Sequence, residues 1–194
     1  MIDEEFCLIP THKVKPLTDK INNSTYTEET IKELRALCVK GREIQDLIKQ
    51  YVPDSFYIDN IKTENPLLYV TLQLCNNMCV ENRENQDYMF PLIIPLFSNI
   101  KWEIKTATIA LSFVLTCTQP GSKNRNLLSF SLLEPFLQLP HDNEELEIRI
   151  VGLLPSLSTD ALNWAMKNHE KCIVMLDRLH DAIECAPEQF DVDS

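Results

Sequence analysis

Apolar residues return at three- and four-residue steps along most of the chain, the spacing that builds one face of a helix. Ile31, Leu34, Leu37 and Cys38 follow this rule behind Thr25-x-x-Glu28, which has capping-box spacing. Asn65-Pro66 reads as a cap with proline at the first helical position, before an apolar stretch through Val80. Pro91 and Pro95 should split whatever helix follows Arg83. From Trp102 to Thr116 the pattern is apolar almost all round, with Ile104, Ala107, Ile109, Leu111, Val114 and Leu115. Such a helix is covered on several sides, so it should form the centre of the domain. Asp142 and Asn143 open a further helix through Leu146, Ile150, Leu153 and Leu154. Ser158 and Thr159 can cap one with Leu162, Trp164 and Ala165, and a last helix from Cys172 to Ile183 would close the stack. The expected class is all-α.

The pattern also repeats. LRALCVKGREIQDLI at 34–48 and CNNMCVENRENQDYM at 75–89 share Cys38/Cys79, Val39/Val80, Arg42/Arg83, Glu43/Glu84, Gln45/Gln86 and Asp46/Asp87 at an offset of 41 residues. Weaker copies of an apolar helix, a polar break and a second apolar helix centre on Cys117 and Ser158, at steps of 38 and 41 residues. A period near forty suits armadillo or HEAT units and is too long for tetratricopeptide or ankyrin repeats.

In the second unit, Asn77-Met78-Cys79-x-x-Asn82-x-Glu84-Asn85-Gln86 resembles the armadillo signature, in which an apolar helix ends, the chain breaks, and Asn-x-Glu-Asn starts the next repeat. Asn124-Arg125 followed by Leu132, Leu133, Phe136 and Leu137 resembles it more loosely in the third. The resemblance covers roughly residues 28–185. Phe90-Pro91 stands where that family keeps a glycine between helices, which leaves HEAT-like or irregular repeats open. The implied fold is a right-handed α-solenoid of about four armadillo-like repeats. It would occupy residues 25–185, after an N-terminal extension or cap at 1–24 and before an acidic tail at 186–194. Residues Phe6, Leu8 and Ile9 could fold back as that cap.

The resemblance also implies a binding groove. Asn77 corresponds to a position on the groove-lining helix, and Gln73, one turn earlier, stands where nuclear import receptors keep a tryptophan. The matching pair in the third unit is Ile109 and Phe113, so the implied groove residues are Gln73, Asn77, Ile109 and Phe113. The tryptophan–asparagine ladder that reads basic peptides is not reproduced. The bulk and apolarity of Phe113 argue for burial instead.

Composition narrows the chemistry. Three glycines among 194 residues leave no room for a phosphate-cradling loop, and neither G-x-x-x-x-G-K nor G-x-G-x-x-G is present. A net charge of −11 repels phosphate backbones, so direct nucleic-acid binding is not expected. The charge is uneven: residues 134–194 carry 13 acids against 4 bases, while 101–133 carry 4 bases against 1 acid. His169-x-x-Cys172 and Cys75-x-x-x-Cys79 place metal-type ligands on a helical face, but neither pair has a second pair to complete a zinc site. The seven cysteines fall mostly in apolar helical patterns, as reduced buried thiols do, with Cys38 and Cys79 at equivalent places. Together with an N-terminus lacking a basic-then-apolar leader, this suggests a cytoplasmic or nuclear setting. No metal, cofactor or catalytic constellation is expected, and no membrane association. The expected function is an adaptor or scaffold that recognises a partner protein or peptide, with homo-oligomerisation open. The alternative is an armadillo-type regulator, a nucleotide exchange factor for an Hsp70 chaperone or small GTPase.

Overall fold

The computed structural model describes residues 9–140 and 143–153. These residues are helical throughout, with no strand among them. The α-helices are α1 (Ile9–Asn22), α2 (Glu28–Cys38), α3 (Arg42–Tyr51), α4 (Asp54–Asn60), α5 (Leu68–Cys79), α6 (Arg83–Ile93), α7 (Ile104–Cys117), α8 (Phe130–Leu137) and α9 (Glu144–Leu153). Short 3-10 helices cover Ile94–Asn99 and Lys123–Leu127. The helix expected behind Ser158, the final helix from Cys172, the fourth repeat unit and the acidic tail all lie outside the described residues, as do Phe6 and Leu8.

Helices α2, α5, α7 and α9 pack side by side in chain order and form one row. Adjacent members run parallel. Lys105 meets Tyr69 and Thr116 meets Asn76 on the α5–α7 pair, while Arg149 meets Ser112 and Gly152 approaches Leu115 on the α7–α9 pair. Behind the row, α1 packs on α3 and α2, α3 on α5, α6 on both α5 and α7, and α8 on α9 and Ile94–Asn99. Helix α7 is therefore covered by α5, α6 and α9, and it buries Ala107, Ala110, Leu111, Phe113, Val114 and Cys117. The segment 1–24 contributes α1, whose Val14, Leu17, Thr18 and Ile21 turn inward at helical spacing.

Several helix ends differ from the sequence-based expectation, each for a local reason. Thr25 does not cap α2, because its backbone N–H and its hydroxyl both close α1 by donating to the Lys20 carbonyl, at 2.9 and 3.3 Å. The cap is Thr27, which exchanges hydrogen bonds with Thr30. Asn65 does accept from the Leu67 N–H at 2.8 Å, yet the α-helix begins only at Leu68. Trp102 lies before α7, because Glu103 caps that helix together with Thr106. The indole packs instead against Phe97 and Phe136, with ring centroids 4.9 and 4.8 Å away. Pro91 is absorbed in the last turn of α6, and the chain then tightens into the 3-10 helix that carries Pro95. Between α2 and α3, Gly41 takes φ = 124°, a left-handed conformation that favours glycine.

The repeat has a physical basis at the helix ends. Seven residues after each of Cys38, Cys79 and Cys117 stands a buried carboxamide: Gln45, Gln86 and Asn124. Gln45 Nε2 donates to the carbonyls of Asn77 (3.0 Å) and Val80 (3.1 Å) in the next unit. Gln86 Nε2 donates to the Cys79 carbonyl at 2.8 Å, and Asn124 Nδ2 to the carbonyls of Gln86 (3.0 Å) and Cys117 (3.2 Å). The last carbonyls of a helix have no intrahelical donor, so a side-chain amide that reaches them closes one helix against another. Charged groups follow the same course outside. Arg42 pairs with Glu84 at 3.1 Å, Lys123 pairs with Asp87 at 3.1 Å, and Asn82 donates to Asp46 at 2.9 Å.

Truncating Gln45 to alanine removes two inter-unit bonds at a buried position. A lost hydrogen bond typically costs about 0.5–1.5 kcal/mol, so Gln45→Ala should lower the denaturant midpoint measurably while leaving helicity intact. An unchanged midpoint would mean that the carboxamide link does not hold the units together.

Candidate protein-binding face

The outward face of the row carries polar side chains set among the half-buried Ile104 and Ile109. On α5 it carries half-buried Tyr69, Gln73, Asn76 and Asn77; on α7 it carries Lys105, Thr108, Ser112 and Thr116; on α9 it carries Glu145 and Arg149. These side chains are joined across the seams between helices. Arg35 of α2 donates to Oε1 of Gln73, whose Nε2 donates to the Tyr69 hydroxyl at 3.0 Å. The Lys105 ammonium lies 4.2 Å from the centre of the Tyr69 ring, a cation–π contact across the α5–α7 seam. Thr116 donates to Asn76 Oδ1 at 2.9 Å on the same seam. Arg149 Nε donates to Ser112 Oγ, and its Nη2 pairs with Glu145 at 2.7 Å. Tyr69, Gln73, Lys105, Ile109, Ser112 and Arg149 are among the residues that line an open cleft of about 450 Å³ running over α5, α7 and α9.

The four groove residues expected from the sequence are not brought together. Gln73 and Ile109 line this cleft. Asn77 lines a different cavity of about 370 Å³ at the C-terminal ends of α2 and α5, with Val39, Gln45 and Val80. Phe113 is fully buried and stacks on Phe90, with centroids 6.1 Å apart and ring planes 27° apart, so it belongs to the core and not to a groove. The physical reason is register. The buried positions of α5 at Leu68, Thr71, Leu72, Leu74, Cys75, Met78 and Cys79 recur in α7 at Ala107, Ala110, Leu111, Phe113, Val114, Cys117 and Thr118, an offset of 39 residues. The pairing of Gln73 with Ile109 and Asn77 with Phe113 uses an offset of 36, and a three-residue slip turns a position by about 60° around the helix, enough here to exchange half-buried Thr116 for fully buried Phe113. The true counterparts of Gln73 and Asn77 are Ser112 and Thr116. Their signal was present in the sequence as the polar positions interrupting the apolar run of α7.

Four described cysteines, Cys38, Cys75, Cys79 and Cys117, are free and buried. Burial pushes the Cys38 thiol up to about 12, with Cys79 adding to the effect, and burial likewise raises Cys75 and Cys79 well above the usual thiol range. Among the described residues no cluster of three or more His, Cys, Asp or Glu side chains is arranged to hold a metal ion. Among the same residues no helix is long and apolar enough to cross a membrane. No protein-family model, curated protein or solved structure matches the chain.

Two outcomes follow from these placements. Phe113→Ala should cost about 3–5 kcal/mol as a large-to-small core change and lower the melting temperature by roughly 10 °C or more, whereas Ile109→Ala should cost about 1 kcal/mol. Equal melting shifts for the two would place them in equivalent surroundings. Iodoacetamide at mildly alkaline pH should modify Cys38 and Cys79 slowly in the native protein and rapidly in denaturant, because the reactive thiolate is scarce when its pKa is raised. Rapid native labelling would put both on the surface.

Proposed function

We propose that the chain is a protein-binding module, an adaptor or scaffold whose binding surface is the polar face of the α2–α5–α7–α9 row. In this reading the row belongs to a short right-handed α-solenoid of about four armadillo-like units, working in the cytoplasm or nucleus. The observation that carries it is the cleft across α5, α7 and α9, in which Gln73, Lys105, Ser112 and Arg149 are tied to neighbouring helices and held in place. Such side chains lose little conformational freedom when a partner docks, which favours binding. Repeated units stacked side by side also offer the extended surface that solenoid proteins use for recognition. The face sets hydrogen-bonding side chains around Ile104 and Ile109, so a partner can gain both polar and apolar contacts there.

The test is affinity capture of the full chain from cell extract, with partners identified by mass spectrometry, followed by substitution. Thr108→Arg, which fills the cleft, should reduce retention of an identified partner at least about tenfold, an energy of roughly 1.4 kcal/mol. Lys13→Ala on the exposed side of α1 should leave retention unchanged. Retention that survives Thr108→Arg and Gln73→Arg together would remove this face as the binding surface.

A further inference from the structure

The cavity of about 370 Å³ at the C-terminal ends of α2 and α5 lies apart from the cleft over α5, α7 and α9. Its walls include Cys38, Val39 and Val80. Val39 and Val80 stand just past the two helices, at equivalent positions, and are 80% and 43% exposed. Gln45 also lines the cavity and is only 5% exposed. Its Nε2 is committed to the Asn77 and Val80 carbonyls, which fixes the amide, and its buried Oε1 has no hydrogen-bond partner. A buried acceptor left unpaired is uncommon in a native fold. Charge around the cavity favours a cation. Arg42 is already held by Glu84 at 3.1 Å and Asp46 at 3.7 Å. Glu81 lines the cavity and forms no ion pair with any described residue. Lys40 lies in the same turn as Val39 but outside the lining, and it is exposed. Two helix C-termini meet here, and each carries the negative end of a helix dipole.

We infer that this cavity receives a primary ammonium on an aliphatic stem, the side chain of a lysine presented by a partner protein. The stem matches the valine and cysteine walls, because lysine buries its methylenes along apolar surface while its charged head stays with polar groups. The ammonium carries three donors and no acceptor. That suits a site whose open positions are the acceptor Gln45 Oε1 and the Glu81 carboxylate. An anion would meet those same acceptors and the negative helix ends, and an apolar group would leave Oε1 unpaired. A small free amine would leave Val39 bare outside the cavity, whereas a lysine on a partner chain brings backbone that covers it. The net charge of −11 draws a basic segment toward the chain. This inference goes beyond the cleft over α5, α7 and α9 and does not depend on it.

The experiment titrates the full chain, labelled for nitrogen NMR, with Nα-acetyl-lysine methylamide. Nα-acetyl-norleucine methylamide, which lacks the ammonium, and cadaverine, a free diamine, are the comparison probes. The lysine compound should give saturable shifts at Val39, Val80 and the Gln45 side-chain amide, with a dissociation constant on the order of a millimolar. The norleucine compound should bind at least about tenfold more weakly. Glu81→Gln should weaken the lysine compound about two- to fivefold, the range for exposed ion pairs. Val39→Lys, which tethers a competing ammonium at the mouth, should weaken it as well. Both positions are exposed, and melting curves matching the parent confirm that the variants are folded. Thr108→Arg should leave the titration unchanged, so the cleft and this cavity stand or fall separately. No saturable shift, equal binding of the norleucine compound, Gln45 resonances unmoved at saturation, or indifference to Glu81→Gln would each overturn the inference. Tighter binding of cadaverine than of the lysine compound would overturn the assignment to a partner's lysine.

Discussion

A buried carboxamide seven residues beyond the end of a row helix is the constraint on which the rest of the structure depends. Gln45, Gln86 and Asn124 occupy that place, and each donates to at least one carbonyl at the C-terminal end of a row helix. A helix terminus buried without such donors would leave carbonyls unsatisfied, at a cost comparable to a lost hydrogen bond for each. Because the donor sits on a different helix from the carbonyl, satisfying it also fixes how two helices meet. Gln45 does this between units, reaching from α3 to the end of α5, and Asn124 does it between α6 and α7 at once. Apolar packing alone is non-directional and would tolerate a helix sliding along its neighbour. The directional bonds remove that freedom.

Once the register is set, the division of each helix into faces follows. The buried positions of α5 recur in α7 at a constant offset of 39 residues, so the positions left outside also align. Across the seams Tyr69 lies beside Lys105, Asn76 beside Thr116 and Ser112 beside Arg149, so each is bridged by side chains of matching reach. A single disordered seam would break the line of polar groups. The cleft is thus a product of the helix-end chemistry, although none of its residues takes part in that chemistry.

The sequence made the helices and the forty-residue recurrence legible because both are periodic. The apolar steps of α2 and α7 and the shared Cys, Arg, Gln and Asp positions of the first two units could be read directly. What escaped was local competition and exact registration. Thr25 has the spacing of a cap, but its N–H and hydroxyl are committed to the end of α1, and spacing cannot show which of two helices claims a threonine. Trp102 extends the apolar run without being helical, because Glu103 and Thr106 cap α7, which starts at Ile104. The groove pairing of Asn77 with Phe113 slips by three residues in a loose copy, where Cys117 is the one anchor. The polar interruptions at Thr108, Ser112 and Thr116 mark the exposed stripe of α7 and would have corrected it. Helix periodicity fixes which residues share a face, but only a contact with the next helix says which face it is.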